Sequence, residues 1–326
     1  KLMKTYKELL RNVEQNTVIV IGDVMIDSYV WGKVDRISPE APVPVVSVNK
    51  TENRLGGAAN VAQNLAALQL SPILCSVIGC DETAIILKEL LHKNSLNTDY
   101  CIEIPERKTT CKQRVLSGNH QILRIDTEQT EEISENVRNT LFKSICQAIE
   151  TKHAKAIIFE DYDKGVISKE LIEQVTTIAL QKQIPVFVDP KKRNFMNYTN
   201  ITLFKPNLKE FIEGSGCEVS ANNLQKLFEV SKKFMHKQSI ENIMITLSEH
   251  GIFVANKHGY HHLPSMVRHI ADVSGAGDTV ISTAIACWLA YIELPEIARI
   301  ANVAAGIACE QPGVVTINQK QLLENI

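Results

Sequence analysis

Asp272-Val273-Ser274-Gly275-Ala276-Gly277-Asp278-Thr279 leads from an extended run into an apolar segment that predicts a helix over Gly277–Leu289. Gly275, Ala276 and Gly277 put small residues where backbone N–H groups must converge. A helix N-terminus supplies that geometry and a dipole that favours an anion. Asp278 falls in the first helical turn, beside the anion. It cannot bind phosphate itself, because like charges repel. It can take a proton from a hydroxyl that attacks phosphate, so the segment has the parts of a phosphoryl-transfer site. Taken by itself, the same Gly-Ala-Gly-Asp also suits a glycine-rich loop capped by Asp, and the surrounding chain has to decide.

Working outward, short apolar runs alternate with helical patterns. Thr17–Ile21, Ile73–Ile78, Ala156–Phe159, Pro185–Val188, Ile201–Phe204 and Ile243–Leu247 read as buried strands. Ala58–Leu70, Glu82–Lys93, Ser168–Gln181, Ala221–Lys237 and Pro295–Ala308 read as helices, together with Gly277–Leu289. This alternation predicts an α/β fold with a mostly parallel sheet, helices on both faces, and ligands at the C-terminal strand ends. Two segments break it. Ser38 to Val48 carries three prolines and favours an edge strand. Cys101 to Asp126 alternates polar and apolar residues around Ser117-Gly118-Asn119, a hairpin signal. Together they predict a small β-sheet lid. The expected organisation is one domain over 1–326, with lid segments at about 28–50 and 100–126 inserted in it.

Composition narrows the partners. Of 326 residues, 44% are hydrophobic and 22% charged, enough for a large core, and the net charge of −2 gives no reason to expect nucleic acid or an acidic membrane surface. The eight cysteines form no C-x-x-C pair and several lie in apolar runs, which suits free thiols in a reducing compartment. The N-terminus has no apolar signal region and no run reaches membrane-span length, so a cytoplasmic protein is expected.

Further motifs follow predicted strands. Ile21-Gly22-Asp23-Val24-Met25-Ile26-Asp27 places Asp27 at a strand end, where it can accept from sugar hydroxyls or simply be a solvated loop residue. Arg54-Leu55-Gly56-Gly57-Ala58-Ala59-Asn60 opens a helix; its glycines let a ligand approach backbone, and Asn60 offers a donor and an acceptor. Lys205-Pro206-Asn207-Leu208-Lys209-Glu210 sets Asn207 and Glu210 on one helix face. Glu210 suits a water-coordinated Mg²⁺, and the same spacing suits a capping box. Thr246-Leu247-Ser248-Glu249-His250-Gly251 offers hydroxyls and a glycine to a nucleotide. No G-x-G-x-x-G follows the first strand, which counts against a dinucleotide-dependent oxidoreductase. A catalytically inactive kinase fold is a further alternative, opposed by the intact Asp278 cradle.

In this order the motifs make the chain resemble the ribokinase-like (PfkB-type) sugar kinases over nearly its whole length. Gly56-Gly57 looks like their first signature, Asp272–Thr279 like their second, and Asn207–Glu210 like a third element. Arg36-Ile37-Ser38-Pro39-Glu40-Ala41-Pro42, Asp161-Tyr162-Asp163-Lys164-Gly165 and Val188-Asp189-Pro190-Lys191 resemble the heptose-7-phosphate kinase branch, which is similar to the N-terminal half of a bifunctional enzyme of lipopolysaccharide precursor synthesis. Leu55, Glu160 and Lys192-Arg193 depart from that branch, Glu160 standing where a small residue is common. There is no H-x-G-H nucleotidyltransferase motif, so a kinase-only protein or an isolated kinase domain is expected.

The resemblance implies a ribokinase-like three-layer sandwich, ATP and Mg²⁺, and phosphorylation of C1 of D-glycero-D-manno-heptose 7-phosphate. Other sugars or a nucleoside are the alternatives. Asp278 is implied as the base, with Gly275, Ala276 and Gly277 as the anion cradle. Asn207, Leu208, Lys209, Glu210, Thr246, Ser248, Gly251 and Asn302 are implied at the nucleotide. Asp27, Gly56, Gly57, Asn60, Lys112, Arg114, Asp161 and Lys164 are implied at the sugar phosphate, where a bidentate Arg is the preferred clamp. Glu210 is implied for Mg²⁺ through water, and Asp272, Ser274 and Gly313 for an additional K⁺. The exposed face of the predicted lid sheet suits pairing with a second copy, so a homodimer through the lid is expected.

Overall fold

The computed structural model describes residues 2–118, 120–266, 273–311 and 313–326, the side chains of residues 2–5 excepted. Along the chain run α1 (Leu2–Arg11), β1 (Thr17–Gly22), β2 (Val24–Ile37), β3 (Pro44–Gly57), α2 (Ala58–Ala67), β4 (Ser71–Ile78), α3 (Glu82–Lys93), β5 (Cys101–Glu103), β6 (Thr110–Ser117) and β7 (His120–Thr127). Then come α4 (Glu135–Thr151), β8 (Ala156–Glu160), α5 (Lys169–Gln181), β9 (Val186–Asp189), β10 (Ile201–Phe204), α6 (Leu208–Ser215), α7 (Leu224–Gln238) and β11 (Ile240–Thr246). β12 (Ile252–Asn256), β13 (Gly259–Leu263), α8 (Ala276–Leu289), α9 (Leu294–Cys309) and α10 (Gln319–Asn325) complete it.

Among the described residues the main sheet has nine strands, ordered β13-β12-β11-β10-β9-β8-β1-β4-β5. Pairings from β11 through β5 are parallel, and β12 and β13 return antiparallel at one edge. β1 shows why this sheet needs cover on both faces. Its Val18 and Val20 point into one apolar cluster with α2, α8 and α9, and its Ile19 and Ile21 into another with α4, α5 and α7. A strand buried on both sides has to be an unbroken apolar run, as this one is. α8 is likewise buried all round, from Asp278 to Cys287, as befits a helix at the centre of a layer rather than on its surface.

Register at the C-terminal strand ends decides where chemistry can occur. Gly22 lies opposite Glu160, Glu160 opposite Asp189, and Val188 opposite Phe204. Asp189 and Lys205 are therefore brought together one step beyond, with the Lys205 amide donating to the Val188 carbonyl at 2.8 Å. The N-terminus of α8 stands over this edge.

The second sheet has the order β3-β2-β6-β7. Arg54, Asp27, Lys112 and Asp126 form one cross-strand row; Glu52, Tyr29, Arg114 and Arg124 form the next on the same face. The hairpin closes at Ser117 and His120; Asn119, expected in its turn, lies outside the described residues. No helix among the described residues is long and apolar enough to cross a membrane.

Candidate active site

α8 begins at Gly275, whose φ of 78° lies in the left-handed region that suits glycine. A Cβ there would stand 3.1 Å from Asn60 Nδ2 and from Val314. The cradle is thus packed so closely that its amides, rather than a side chain, form its surface. Among the described residues no side chain caps the helix; the Ala276 amide donates to the Val273 carbonyl at 3.3 Å, and the neighbouring Gly277 amide faces the helix start, where an anion is favoured.

Asp278 is 4% exposed. Asn60 donates to its Oδ2 at 2.6 Å, and the Tyr162 hydroxyl to its Oδ1 at 3.1 Å. Burial pushes its carboxyl up to about 6 against the pull of Asn60. A base tuned there is ionised at neutral pH and still accepts a proton readily. Asn60, expected at the sugar, instead spends its amide on the base; its own Oδ1 accepts from Asn64 at 3.2 Å.

Asp23 holds the Tyr162 loop. Its carboxylate accepts the amides of Tyr162, Lys164 and Val166 at 2.9–3.1 Å. Lys112 stands 5.6 Å and Lys191 5.1 Å from the Tyr162 ring, so two cations face an aromatic whose hydroxyl touches the base.

The lid contributes Asp27, on which Arg114 Nη1 donates at 2.5 Å. A Cβ on Gly56 would run into the Asp27 carboxylate, and one on Gly57, at φ 58°, into the Asp23 carbonyl. Both glycines are required by the close approach of β3 to β2 and to the residue before it. Lys164 pairs with Glu128 at 2.7 Å, and burial together with the Lys164 charge lowers the Lys112 ammonium pKa.

Several expectations need correction. Asp161 faces inward: it accepts from Tyr198 at 2.8 Å, Asn194 at 3.1 Å and the Asp163 amide at 2.9 Å, and burial raises it to about 7. It fixes its loop and does not reach the cleft. Leu208 packs into the core, and the Lys209 side chain is 84% exposed beside Glu213, so neither side chain enters the site. Asn302 donates to the Pro264 carbonyl at 2.7 Å and braces that segment. Glu210 completes the capping box with Asn207 and also takes Lys191, so both its oxygens already have partners. Thr246 bridges to Asn207, Ser248 is exposed and Gly251 is buried. Of the K⁺ residues, Asp272 lies outside the described residues. The Arg54 guanidinium already stands against Gly313 and reaches Val314 O at 3.5 Å. A K⁺ on Gly313 would meet that charge.

Sequence reasoning missed Tyr162, Asp189, Lys205 and Glu160 as site residues. Lys205 Nζ pairs with Asp189 Oδ2 at 2.8 Å, both buried, and lies 3.4 Å from where a Gly277 Cβ would be. A single oxygen from each of Glu160, Asp189 and Asp278 falls within 4.8 Å of the others. Acids outnumber ammonium groups here. Burial first, then Asp189 and Asp278, raises Glu160 well above the usual carboxylate range. Burial would lower Lys205, but Asp189, Glu210 and Glu160 together raise it. A cavity of about 780 Å³ lies elsewhere, at the opposite strand ends between α1, Trp288 and Tyr291, and contains none of these groups.

The pfkB family carbohydrate kinase pattern matches residues 15–321. The chain belongs to the pfkB family of carbohydrate kinases. As a pfkB-family kinase it is a phosphotransferase acting on a sugar hydroxyl. It is 38% identical to the bifunctional protein HldE of Methylobacillus flagellatus, over 95% of this chain and 63% of that one. It is 38% identical to HldE of Trichlorobacter lovleyi, over 98% and 65%. It therefore resembles the kinase portion of HldE, and spans somewhat less than two thirds of these relatives. Phosphofructokinase-2 from Escherichia coli, in complex with substrates and products, superposes with a TM-score of 0.77 at 16% identity, covering 95% of this chain and 98% of that one. This pfkB-family kinase thus has the ribokinase-like α/β fold with its lid.

Proposed function

We propose that the chain transfers the γ-phosphoryl group of ATP to the C1 hydroxyl of D-glycero-D-manno-heptose 7-phosphate. The product is the 1,7-bisphosphate, a precursor of ADP-heptose and lipopolysaccharide, made in the cytoplasm where ATP is available. The observation that carries this is Asp278, buried and held by two donors between the α8 amides and the charged face of the lid. Asp278 takes the hydroxyl proton as the sugar oxygen bonds to phosphorus and the bond to ADP breaks. The amides of Gly275 and Gly277, and that of Ala276 once it leaves the Val273 carbonyl, with Lys205 behind them, stabilise the charge on the transferring group.

Asp27, Gly56 and Gly57 orient the sugar. Lys112, with Arg114 and Lys164 turning from Asp27 and Glu128, would meet its distal phosphate. The nucleotide lies along Asn207, Thr246, Ser248 and Gly251, with Lys191, held by Glu210, beside its phosphates. The hard carboxylate oxygens of this edge fit Mg²⁺, which when bound with ATP neutralises phosphate charge; Glu210 would meet it through water. Turnover measured as ADP release should appear with heptose 7-phosphate and be absent with ribose, fructose 6-phosphate and nucleosides. In parallel, only the heptose phosphate should raise the melting temperature alongside a non-hydrolysable ATP analogue. Preference for another acceptor would overturn the heptose assignment, and no ADP release with any acceptor would overturn the kinase reading.

A second copy of the chain fits the lid's other face. There Leu123 (45% exposed) and Ile125 (48%) adjoin Val30 and Val115, with Val48 also exposed. Sedimentation should give a dimer that Leu123→Glu dissociates. A monomeric wild type would sink this assignment.

A further inference from the structure

The cavity at the N-terminal strand ends takes no part in phosphoryl transfer, yet it is furnished for a ligand. Its volume of about 780 Å³ lies within the usual range of small-molecule pockets, about 300–1,000 Å³. Trp288 and Tyr291, at the end of α8, both line it. The Trp288 ring is fixed edge-on to Phe187, with 6.1 Å between centroids. Tyr291 is 94% exposed, on a backbone at φ 57°. A bulky residue rarely adopts that conformation, and glycine is the usual occupant just past a helix end. Strain kept in this way points to a use for the ring.

Four carboxamides, Asn12, Asn16, Gln183 and Asn200, line the same cavity, together with the Glu241 carboxylate and the Lys155 ammonium. Among the described residues, none of these six side chains is engaged by another residue. Each amide can donate and accept at once, which suits hydroxyls and the edge of a heterocycle. α1, α5 and α8 all end here, so carbonyl oxygens and the negative ends of three helix dipoles surround the space. One ammonium against one carboxylate and three such ends disfavours a polyphosphate. A neutral ligand with hydroxyl and amino donors is favoured, carrying a flat ring to meet the aromatic pair.

We propose that this cavity binds an uncharged nucleoside, its base against Trp288 and Tyr291 and its sugar hydroxyls on Glu241 and the amides. The site is separate from the nucleotide groove at the opposite strand ends. It is still joined to the chemistry. α8 runs about 15 Å from Trp288 to Asp278, at 1.5 Å per residue, and Phe187 lies two residues before Asp189 on β9. A nucleoside held here bears on both elements.

Trp288 is the reporter. The chain has two tryptophans, and Trp31→Phe leaves Trp288 alone. That protein is saturated with a non-hydrolysable ATP analogue, which fills the nucleotide groove. Adenosine, guanosine, cytidine and uridine are then titrated separately while Trp288 emission is read, with equilibrium dialysis alongside. At least one should quench Trp288 saturably and occupy one site per chain. Tyr291→Gly and Glu241→Gln, each added to that protein, should weaken binding about tenfold or more. Tyr291→Gly should melt no lower than its parent, since glycine relieves the backbone. No quenching by any of the four nucleosides overturns the proposal. So does quenching that the ATP analogue abolishes, which would place the nucleoside in the nucleotide groove, or unchanged affinity in both variants. Turnover enters none of these readings, so the kinase and heptose assignments stand or fall separately.

Discussion

Asp278→Asn is expected to slow turnover by roughly 10²–10⁴-fold, the usual range for loss of a general base, with nucleotide affinity nearly unchanged. The substitution is isosteric. The new amide oxygen still accepts from Asn60, and the Tyr162 hydroxyl can rotate to accept from the amide NH₂, so neither donor is left unpaired. What disappears is the capacity to take a proton. The pH profile separates this from a positional fault. With its carboxyl at about 6, the wild type should lose activity below that pH, by tenfold per unit, as Asp278 becomes protonated and can no longer act as base. The variant should show no such limb. Single-turnover rates between pH 5 and 8, with nucleotide binding measured separately, make the test. A rate within a few-fold of wild type, or an acid limb that survives the substitution, would remove Asp278 from the reaction.

How far the sequence could be read depends on whether a feature is contiguous. The β1 run of Val18 to Ile21 announces a strand buried on both faces because every residue in it is apolar. Gly57 and Gly275 are legible for the same reason: a positive φ or a close approach demands glycine, and each sits inside a short motif. Charged helices were harder. α4 was missed although Leu141, Ile145, Ala148 and Ile149 carry helical spacing and Ser134 caps it through the Val137 amide. β12 and β13 stand outside the β/α alternation: they are short, return antiparallel, and β13 carries the polar pair His261-His262, which marks a strand nearby without fixing its bounds. Lys205, Asp189, Glu160 and Tyr162 could not be assembled by inspection. They lie on different strands and a loop, and only parallel register puts their side chains together. A lysine in a chain reads by default as solvated; nothing local to Lys205 says that it is 3% exposed. Asn60 shows the converse: its motif pointed to the site, but only the packing of α2 on α8 shows that its amide serves the base rather than the sugar.

That buried pair supports the second large effect. Lys205→Met, which keeps the length of the side chain and removes its charge, is expected to cost about 3–5 kcal/mol, the range for breaking a buried ion pair from one side. The reason is the partner left behind. Asp189 already sits in an acidic, water-poor cluster, and its carboxyl lies above the ordinary value chiefly through burial, even with Lys205 in contact. Without Lys205 it rises further. A carboxyl whose folded pKa exceeds its unfolded one destabilises the fold as pH climbs through the folded value, and ceases to do so below the unfolded value. The deficit in Lys205→Met should therefore be largest at neutral pH and shrink as acid protonates Asp189. At the unfolding entropy of about 2.1 cal/mol/K per residue, a chain of this length should melt roughly 4–7 °C lower at neutral pH. Lys205→Met combined with Asp189→Asn should recover most of that, since removing both charges leaves no uncompensated ion. Urea unfolding of the three proteins at pH 5 and pH 7.5 decides it. A deficit that does not change with pH, or a double variant no better than the single one, would mean that Lys205 stabilises the fold by packing rather than by charge.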